Sequence, residues 1–347
     1  MKICITGGAG FLGLHLTKHL HSLGHSLTLL DIDDYVTSEY PPDNVTFIGG
    51  DVRNMADMER ALDGADAVIH AAAALPLWSK EEIYSTNIFG TKTVLEAAMA
   101  AQISRVAYVS STAVYGVPQV HPLMEYFPMV GVGPYGESKI LAEKVCGDFR
   151  EKGMVVGVIR PKTFIGPYRL GVFQILFEWI NEGHRIPLIG SGHNRYQLLD
   201  VQDLCVAFEK MITSKDEAAA ANTYNIGAAS FGTVREDVSA LCEHAGSGSK
   251  ILPVPAGLVI PTLKLFEKLH LSPLYEWIYG TAHRDSFVSV EKASRLLGFS
   301  PVQSNAQALI RSYDWYMENK DTMASGTGIT HRVPWDQGIL KLFKKVL

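Results

Sequence analysis

The chain has 347 residues, 47% hydrophobic and only 19% charged, which excludes a disordered or fibrous polymer and suits a well-packed globular enzyme. With 31 basic against 36 acidic side chains, a net charge near −5 gives no electrostatic basis for binding nucleic acid. Cys4, Cys146, Cys205 and Cys242 are scattered with neither redox nor metal spacing, so reduced, mostly buried thiols, no metal centre and a cytoplasmic location are expected. Lys2 leads directly into an apolar run, so no leader peptide is expected. No apolar run reaches the roughly eighteen residues of a membrane span.

The first apolar run, residues 3–5, reads as a strand and enters Gly7-Gly8-Ala9-Gly10-Phe11-Leu12-Gly13; Leu16 and Leu20 then follow at helical spacing. Gly8, Gly10 and Gly13 fit the G-x-G-x-x-G dinucleotide fingerprint, and Gly7, Gly10 and Gly13 fit its G-x-x-G-x-x-G variant equally well. Such a turn lets a pyrophosphate approach bare backbone at the positive end of a helix. A second strand, residues 27–30, ends in Asp31, eighteen residues beyond Gly13. A carboxylate there accepts from the adenosine ribose hydroxyls and repels a 2′-phosphate, which selects NAD over NADP.

Further strands are expected at residues 45–48, 67–70, 106–109 and 155–159, with helices through 91–98 and 136–150 between them. This alternation predicts an α/β fold, a doubly wound parallel sheet of Rossmann type with a smaller C-terminal substrate lobe. The expected division is a nucleotide domain over 1–166, rejoined by about 195–228. The substrate lobe takes 167–194 and 229–320, and an amphipathic tail takes 321–347.

Tyr135-Gly136-Glu137-Ser138-Lys139 is a Y-x-x-x-K pair at a helix start, and four residues place Lys139 on the face of Tyr135. A nearby ammonium lowers a phenol's pKa and lets tyrosinate act as general base. Chance alone supplies about 0.7 such pairs in a chain of this composition. Tyr316 and Lys320, within an expected C-terminal surface helix, are read as that chance pair. The first pair stands out by position, because it follows a strand that runs into Ser110-Ser111-Thr112-Ala113-Val114-Tyr115-Gly116, and ligands meet the carboxyl ends of such strands.

Together these segments resemble the extended short-chain dehydrogenase/reductases, in their NAD-dependent epimerase/dehydratase branch. The carriers run in order from the glycine turn through Asp31, Asp51-Val52, His70-Ala71-Ala72-Ala73 and Asn87. They continue through Ser110 to Gly116, Tyr135 to Lys139, and Arg160-Pro161 with Gly166-Pro167. The resemblance implies NAD contacts at Gly7, Gly10, Phe11, Leu12, Gly13, Asp31, Asp51, Val52, Ala71, Ala72, Ala73, Asn87, Ser110, Tyr135 and Lys139. It implies a catalytic set of Ser111, Tyr135 and Lys139, and a homodimer pairing helices near 91–101 and 136–150.

Departures from the pattern narrow the chemistry. Relatives that dehydrate sugars carry Asp-Glu immediately after the catalytic Ser/Thr, and decarboxylating relatives carry the Glu; here Thr112 and Ala113 stand there. Reversible hydride transfer is left, either epimerisation through a transient ketone or simple alcohol/ketone redox. Sugar-nucleotide epimerases place an Asn where Thr163 stands and an Arg where Tyr196 stands, with Arg195 displaced by one. Arg284 is a further candidate for phosphate. Trp78, Thr112, Thr163, Arg195, Tyr196 and Arg284 are the candidate substrate contacts. A nucleotide sugar is the expected substrate. Leu75-Pro76-Leu77-Trp78 and the apolar segment 261–280 keep open a lipophilic alcohol, as in 3β-hydroxysteroid dehydrogenases. A non-catalytic NAD-binding protein is the least favoured reading. The tail from Ile339 to Leu347 alternates apolar residues with Lys341, Lys344 and Lys345, a pattern for docking on the protein itself or touching a membrane or partner.

Overall fold

The structure, a computed structural model, describes residues 1–269 and 276–321 together with 332, 337, 338 and 344. Its strands are β1 (Lys2–Thr6), β2 (Ser26–Asp31), β3 (Val45–Gly49), β4 (Ala67–His70), β5 (Arg105–Val109), β6 (Val155–Pro161), β7 (Phe164–Ile165), β8 (Ile186–Ile189), β9 (Leu199–Asp200), β10 (Thr223–Ile226) and β11 (Ile251–Val254). Seven of them form one parallel sheet in the order β10-β6-β5-β4-β1-β2-β3, as the α/β alternation of the sequence predicts.

A parallel sheet covered on both faces needs strands that are apolar throughout, and these are. β1 sends Ile3 and Ile5 to one face, against Leu14, Leu16 and Leu20 of the helix Phe11–Ser22 and Phe208 of the helix Val201–Thr213. Cys4 points the other way, into a cluster with Val94, Ala98, Cys146 and Phe149 from the helices Thr91–Ala100 and Gly133–Glu151. Each fully buried Leu or Ile of this kind is worth about 1.5–3 kcal/mol. The chain starts in the middle of the sheet, builds outward through β2 and β3, then returns to β4 on the other side of β1. That reversal opens a crevice beyond the carboxyl ends of β1 and β4.

The smaller lobe is built on the parallel pair β8–β11 and on the helices Val172–Asn181, Val234–Ala245 and Asn305–Asn319. These bury Phe177, Trp179, Leu241, Tyr313 and Tyr316. Two sequence expectations need correcting. The helix carrying Tyr316 and Lys320 is present, but Tyr316 is in the lobe core and donates to Glu178 Oε1 at 3.1 Å; a phenol with an internal acceptor has no need of solvent. Ala293, Leu297 and Phe299, assigned from sequence to the lobe, are buried with Leu204 and Tyr224 on the sheet side, because their short helix packs against β10. Residues 270–275 of the apolar segment, and all of the tail from 339 except Lys344, lie outside the described residues.

Candidate active site

The crevice opens into a cavity of about 1370 Å³ that runs from the glycine turn to the lobe. Its first wall is the turn after β1. Gly7 adopts φ +73°, and a Cβ there would lie 2.7 Å from the Ala72 backbone nitrogen. A Cβ on Gly13 would lie 2.2 Å from the Gly7 carbonyl oxygen. The turn therefore packs backbone on backbone, directly ahead of the helix N-terminus that begins at Phe11. The Asp31 carboxylate closes it from β2, accepting from the Ala9 N–H at 2.9 Å and the Asp33 N–H at 3.1 Å. Burial raises the Asp31 pKa, and those two amides oppose the rise.

Below the turn, Thr6 Oγ1 meets His70 Nδ1 at 2.7 Å and Thr91 Oγ1 meets His70 Nε2 at 3.0 Å. Burial, with the Lys139 charge behind it, pushes His70 down to about 3, so the imidazole is a neutral bridge between β1, β4 and the helix Thr91–Ala100. Asp51 is held by Arg53, whose Nε donates to both carboxylate oxygens and whose hydrogen bonds lower the Asp51 pKa. Asn87 sits in a wide π-turn, Ser85–Gly90, of the kind that recurs at functional sites. Its side chain bonds both polar groups of Ala74, accepting at 2.8 Å and donating at 3.1 Å, and donates to Ser138 Oγ at 3.0 Å. Asn87 thus braces the Ala71–Ala74 strand end rather than lining the cavity. Every other expected cofactor residue lines it.

The chemistry-bearing groups meet at the end of β5. Ser111 caps a short 3₁₀ turn, Thr112–Tyr115, by accepting from the Ala113 N–H at 3.1 Å, and it lines the cavity together with Tyr135. Pro134 opens the helix Gly133–Glu151, where no donor is missed. Lys139, one turn on, is fully buried; its Nζ donates to the Val109 carbonyl at 2.9 Å and to Tyr108 Oη at 3.2 Å, and lies 5.8 Å from the Tyr135 ring centroid. Burial pushes Tyr135 up to about 12, while the Ser111 hydroxyl and the Arg169 charge pull it down. Burial likewise brings Lys139 down to about 8, which leaves it mainly an ammonium at neutral pH.

Sequence reasoning passed over the group beneath this set. Glu143, one turn beyond Lys139, accepts from Ser110 Oγ and takes three hydrogen bonds from Arg160, one of them 2.6 Å from Nη2. Arg160 also donates to Tyr115 Oη at 2.7 Å. The signal was available, since Tyr135, Lys139 and Glu143 fall at i, i+4 and i+8 on one helix face. Of the candidate substrate contacts, Trp78, Thr112, Thr163 and Tyr196 line the cavity. Arg195 and Arg284 do not: both are exposed, and the Arg195 guanidinium lies 4.6 Å over Phe231 and 4.7 Å over Phe287. In an extended segment neighbours alternate, so Tyr196 turning inward sends Arg195 out. Lys162 and Arg169, not singled out in the sequence, line the cavity instead.

A model of the NAD dependent epimerase/dehydratase family matches residues 3–227. The chain belongs to that family. An uncharacterised protein of Sinorhizobium fredii is 34% identical over 99% of this chain and 85% of its own length. A 3-beta-hydroxysteroid dehydrogenase of Mycolicibacterium neoaurum is 27% identical over 93% of each chain. The solved UDP-glucose 4-epimerase of Thermotoga maritima, with UDP-glucose, superposes with a TM-score of 0.76 at 23% identity, covering 92% of this chain and 100% of that one. This epimerase/dehydratase-family chain is an NAD-dependent enzyme of oxidoreductase or isomerase type, and its residues fit the cofactor. The glycine cradle has no room for a Cβ where backbone must meet a pyrophosphate, and Asp31 stands at the end of β2 where a ribose is read. Among the described residues no helix is long and apolar enough to cross a membrane.

Proposed function

We propose that this chain is an NAD-dependent epimerase acting on a nucleotide-linked sugar. The observation that carries the reading is the pairing of a complete Ser111, Tyr135 and Lys139 set with Thr112 and Ala113, neither of which supplies an acid for elimination. When bound, NAD⁺ supplies the hydride acceptor and a positive ring beside the phenol. Tyr135, Lys139 and the Ala71–Ala73 strand end would hold its nicotinamide half, and the glycine turn, Asp31, Asp51 and Val52 its adenosine half. Tyr135 as phenolate takes the proton of the reacting hydroxyl. Ser111 donates to the forming carbonyl oxygen, and the Lys139 ammonium keeps positive charge behind the phenol. Tyr135 returns that proton to the carbonyl oxygen after the ketone has turned over, and the hydride that bound NAD would give back to the other face of the carbon completes the inverted alcohol.

A second reading, oxidation of a lipophilic alcohol, is favoured by Leu75, Pro76, Trp78, Phe173 and Leu176 along the cavity and by the steroid dehydrogenase among the relatives. Mass spectrometry of nucleotides released on denaturing the fresh protein separates the two. Stoichiometric NAD with a nucleotide sugar is the expected result; an empty protein that forms NADH from steroid alcohols would overturn it. In either reaction Tyr135→Phe should lower turnover by at least about a thousandfold with the fold intact. Near-normal turnover would remove Tyr135 from the mechanism.

The proposal extends to a substrate lobe formed by 167–194 and 229–320, less the helix Glu291–Leu297 and Phe299, which pack on the sheet side. It includes a dimer through the helices near 91–101 and 136–150, where Phe89 and Leu141 are exposed. The four unpaired cysteines support a reducing, cytoplasmic setting. For the tail both readings stay open, docking on the protein itself, which the Lys344–Glu182 ion pair supports, or contact with a membrane or partner.

A further inference from the structure

Lys162 follows the last residue of β6, between Pro161 and Thr163, and faces the lobe end of the cavity. It is 2% exposed, and its Nζ donates to Ser286 Oγ at 2.6 Å and lies 4.7 Å over the Tyr196 ring. Among the described residues no carboxylate lies within ion-pair distance of this amine. His121 feels the charges of both Lys162 and Asp285, and Asp285 is engaged by the Arg195 N–H at 2.8 Å. Burial, and the charge of Lys162 itself, hold His121 below its usual value against the pull of Asp285. Tyr135 and Arg169 line the same cavity.

A tether for Ser286 explains one donor of three. Serine or glutamine would tether that hydroxyl without taking an amine out of water, a transfer that costs several kcal/mol when uncompensated. An aromatic platform, a hydroxyl partner and an open cavity in place of a counter-ion make a receptor for negative charge.

We propose that Lys162 anchors an anionic oxygen group of the substrate, a phosphate or a carboxylate, beside Tyr196. Burial brings the free amine down to about 7, so near neutrality part of the protein meets its ligand uncharged. The anion favours the ammonium, which takes its third proton from solvent on binding. The sign follows: affinity is full below pH 7 and falls up to tenfold per pH unit above it, until the pKa of the complex is reached. The proposal rests on the nucleotide-sugar reading only for the identity of the ligand.

The test is a pH titration of the full chain, loaded with NAD and carrying ¹³C at the lysine ε-carbons. The Lys162 resonance is identified by its loss in Lys162→Arg. Inorganic pyrophosphate, glucuronate and UDP-glucose are the probes. A midpoint that rises by about one unit or more, a tenfold preference for the charged amine, is expected. A rise with pyrophosphate and UDP-glucose places a diphosphate on Lys162; a rise with glucuronate alone places a sugar carboxylate there. Lys162→Met should weaken the effective anion about tenfold to a hundredfold while NAD binding is kept, and Lys162→Arg should keep the affinity without the pH dependence. A midpoint unmoved by all three probes, or an unchanged affinity in Lys162→Met, overturns the proposal and leaves a tether. If pyrophosphate or glucuronate moves the midpoint but UDP-glucose neither binds nor reacts, the anchor stands and the nucleotide-sugar reading falls.

Discussion

At Gly13 the space for a side chain is occupied by backbone. A Cβ would stand 2.2 Å from the Gly7 oxygen and 2.7 Å from Gly8 Cα, and neither atom is the end of a flexible group. Gly13→Ala must therefore push the helix Phe11–Ser22 away from the turn that aims its free N–H groups into the cavity. NAD affinity should fall at least about tenfold, because pyrophosphate binding depends on those amides keeping their geometry. Calorimetric titration with NAD checks it; wild-type affinity would mean that the turn does not hold the pyrophosphate. Such a residue is legible in sequence because only one side chain fits and its spacing from the other glycines is fixed. Tyr135 and Lys139 are legible for the same reason, one helical turn apart at a strand end. Lys162 was not, since nothing in Arg-Pro-Lys-Thr tells which residue after a strand turns into a cavity. Asn87 was expected as a cofactor contact, but it does not line the cavity. Its task, bracing Ala74 and Ser138, depends on the π-turn, which no local pattern announces.

The helix Gly133–Glu151 carries the Tyr135 phenol on its first turn, and Lys139 and Glu143 on the next two. Arg160 and Glu143 are both nearly fully buried, and the carboxylate is the counter-charge of the guanidinium. Glu143→Ala leaves Arg160 charged and unpaired below the site. The expected cost is about 3–5 kcal/mol of stability, the usual penalty for stranding one partner of a buried pair. Ser110 and Tyr115 lose their anchor with it, so turnover should fall beyond what the lost stability explains. Denaturant unfolding and turnover of the folded fraction measure the two effects separately. A loss under about 1 kcal/mol would show that water replaces the carboxylate. Elements of the sheet half were readable because parallel strands covered on both faces are unbroken apolar runs between glycines and polar turns. The lobe was less so: β7 and β9 have two residues each, and the helix at 291–297 joins the sheet side through contacts that sequence order does not encode.

Across the whole molecule, the end of the chain returns to its beginning at Arg332. Its Nη1 donates to the Ala9 carbonyl at 2.7 Å, 323 positions away in sequence, and its other terminal nitrogen pairs with Glu39. The guanidinium also lies 5.8 Å from the Tyr168 ring centroid, at the lobe side of the cavity. One side chain thus joins the glycine turn, the segment after β2 and the lobe, at the dinucleotide end of the crevice. A charge-assisted bond of this kind is worth about 1.5–3 kcal/mol at most, and less where water reaches it. Arg332→Ala should therefore release NAD about three to ten times faster while the melting temperature changes little, because the sheet core is untouched. Arg332→Lys, which replaces a fork by a single ammonium, should serve one partner and fall between. Stopped-flow displacement of NAD reads both rates. A wild-type rate in Arg332→Ala would mean that the tail contact covers the turn without restraining it. A faster rate would mean that the closing of the chain on itself is part of what keeps the cofactor bound between turnovers.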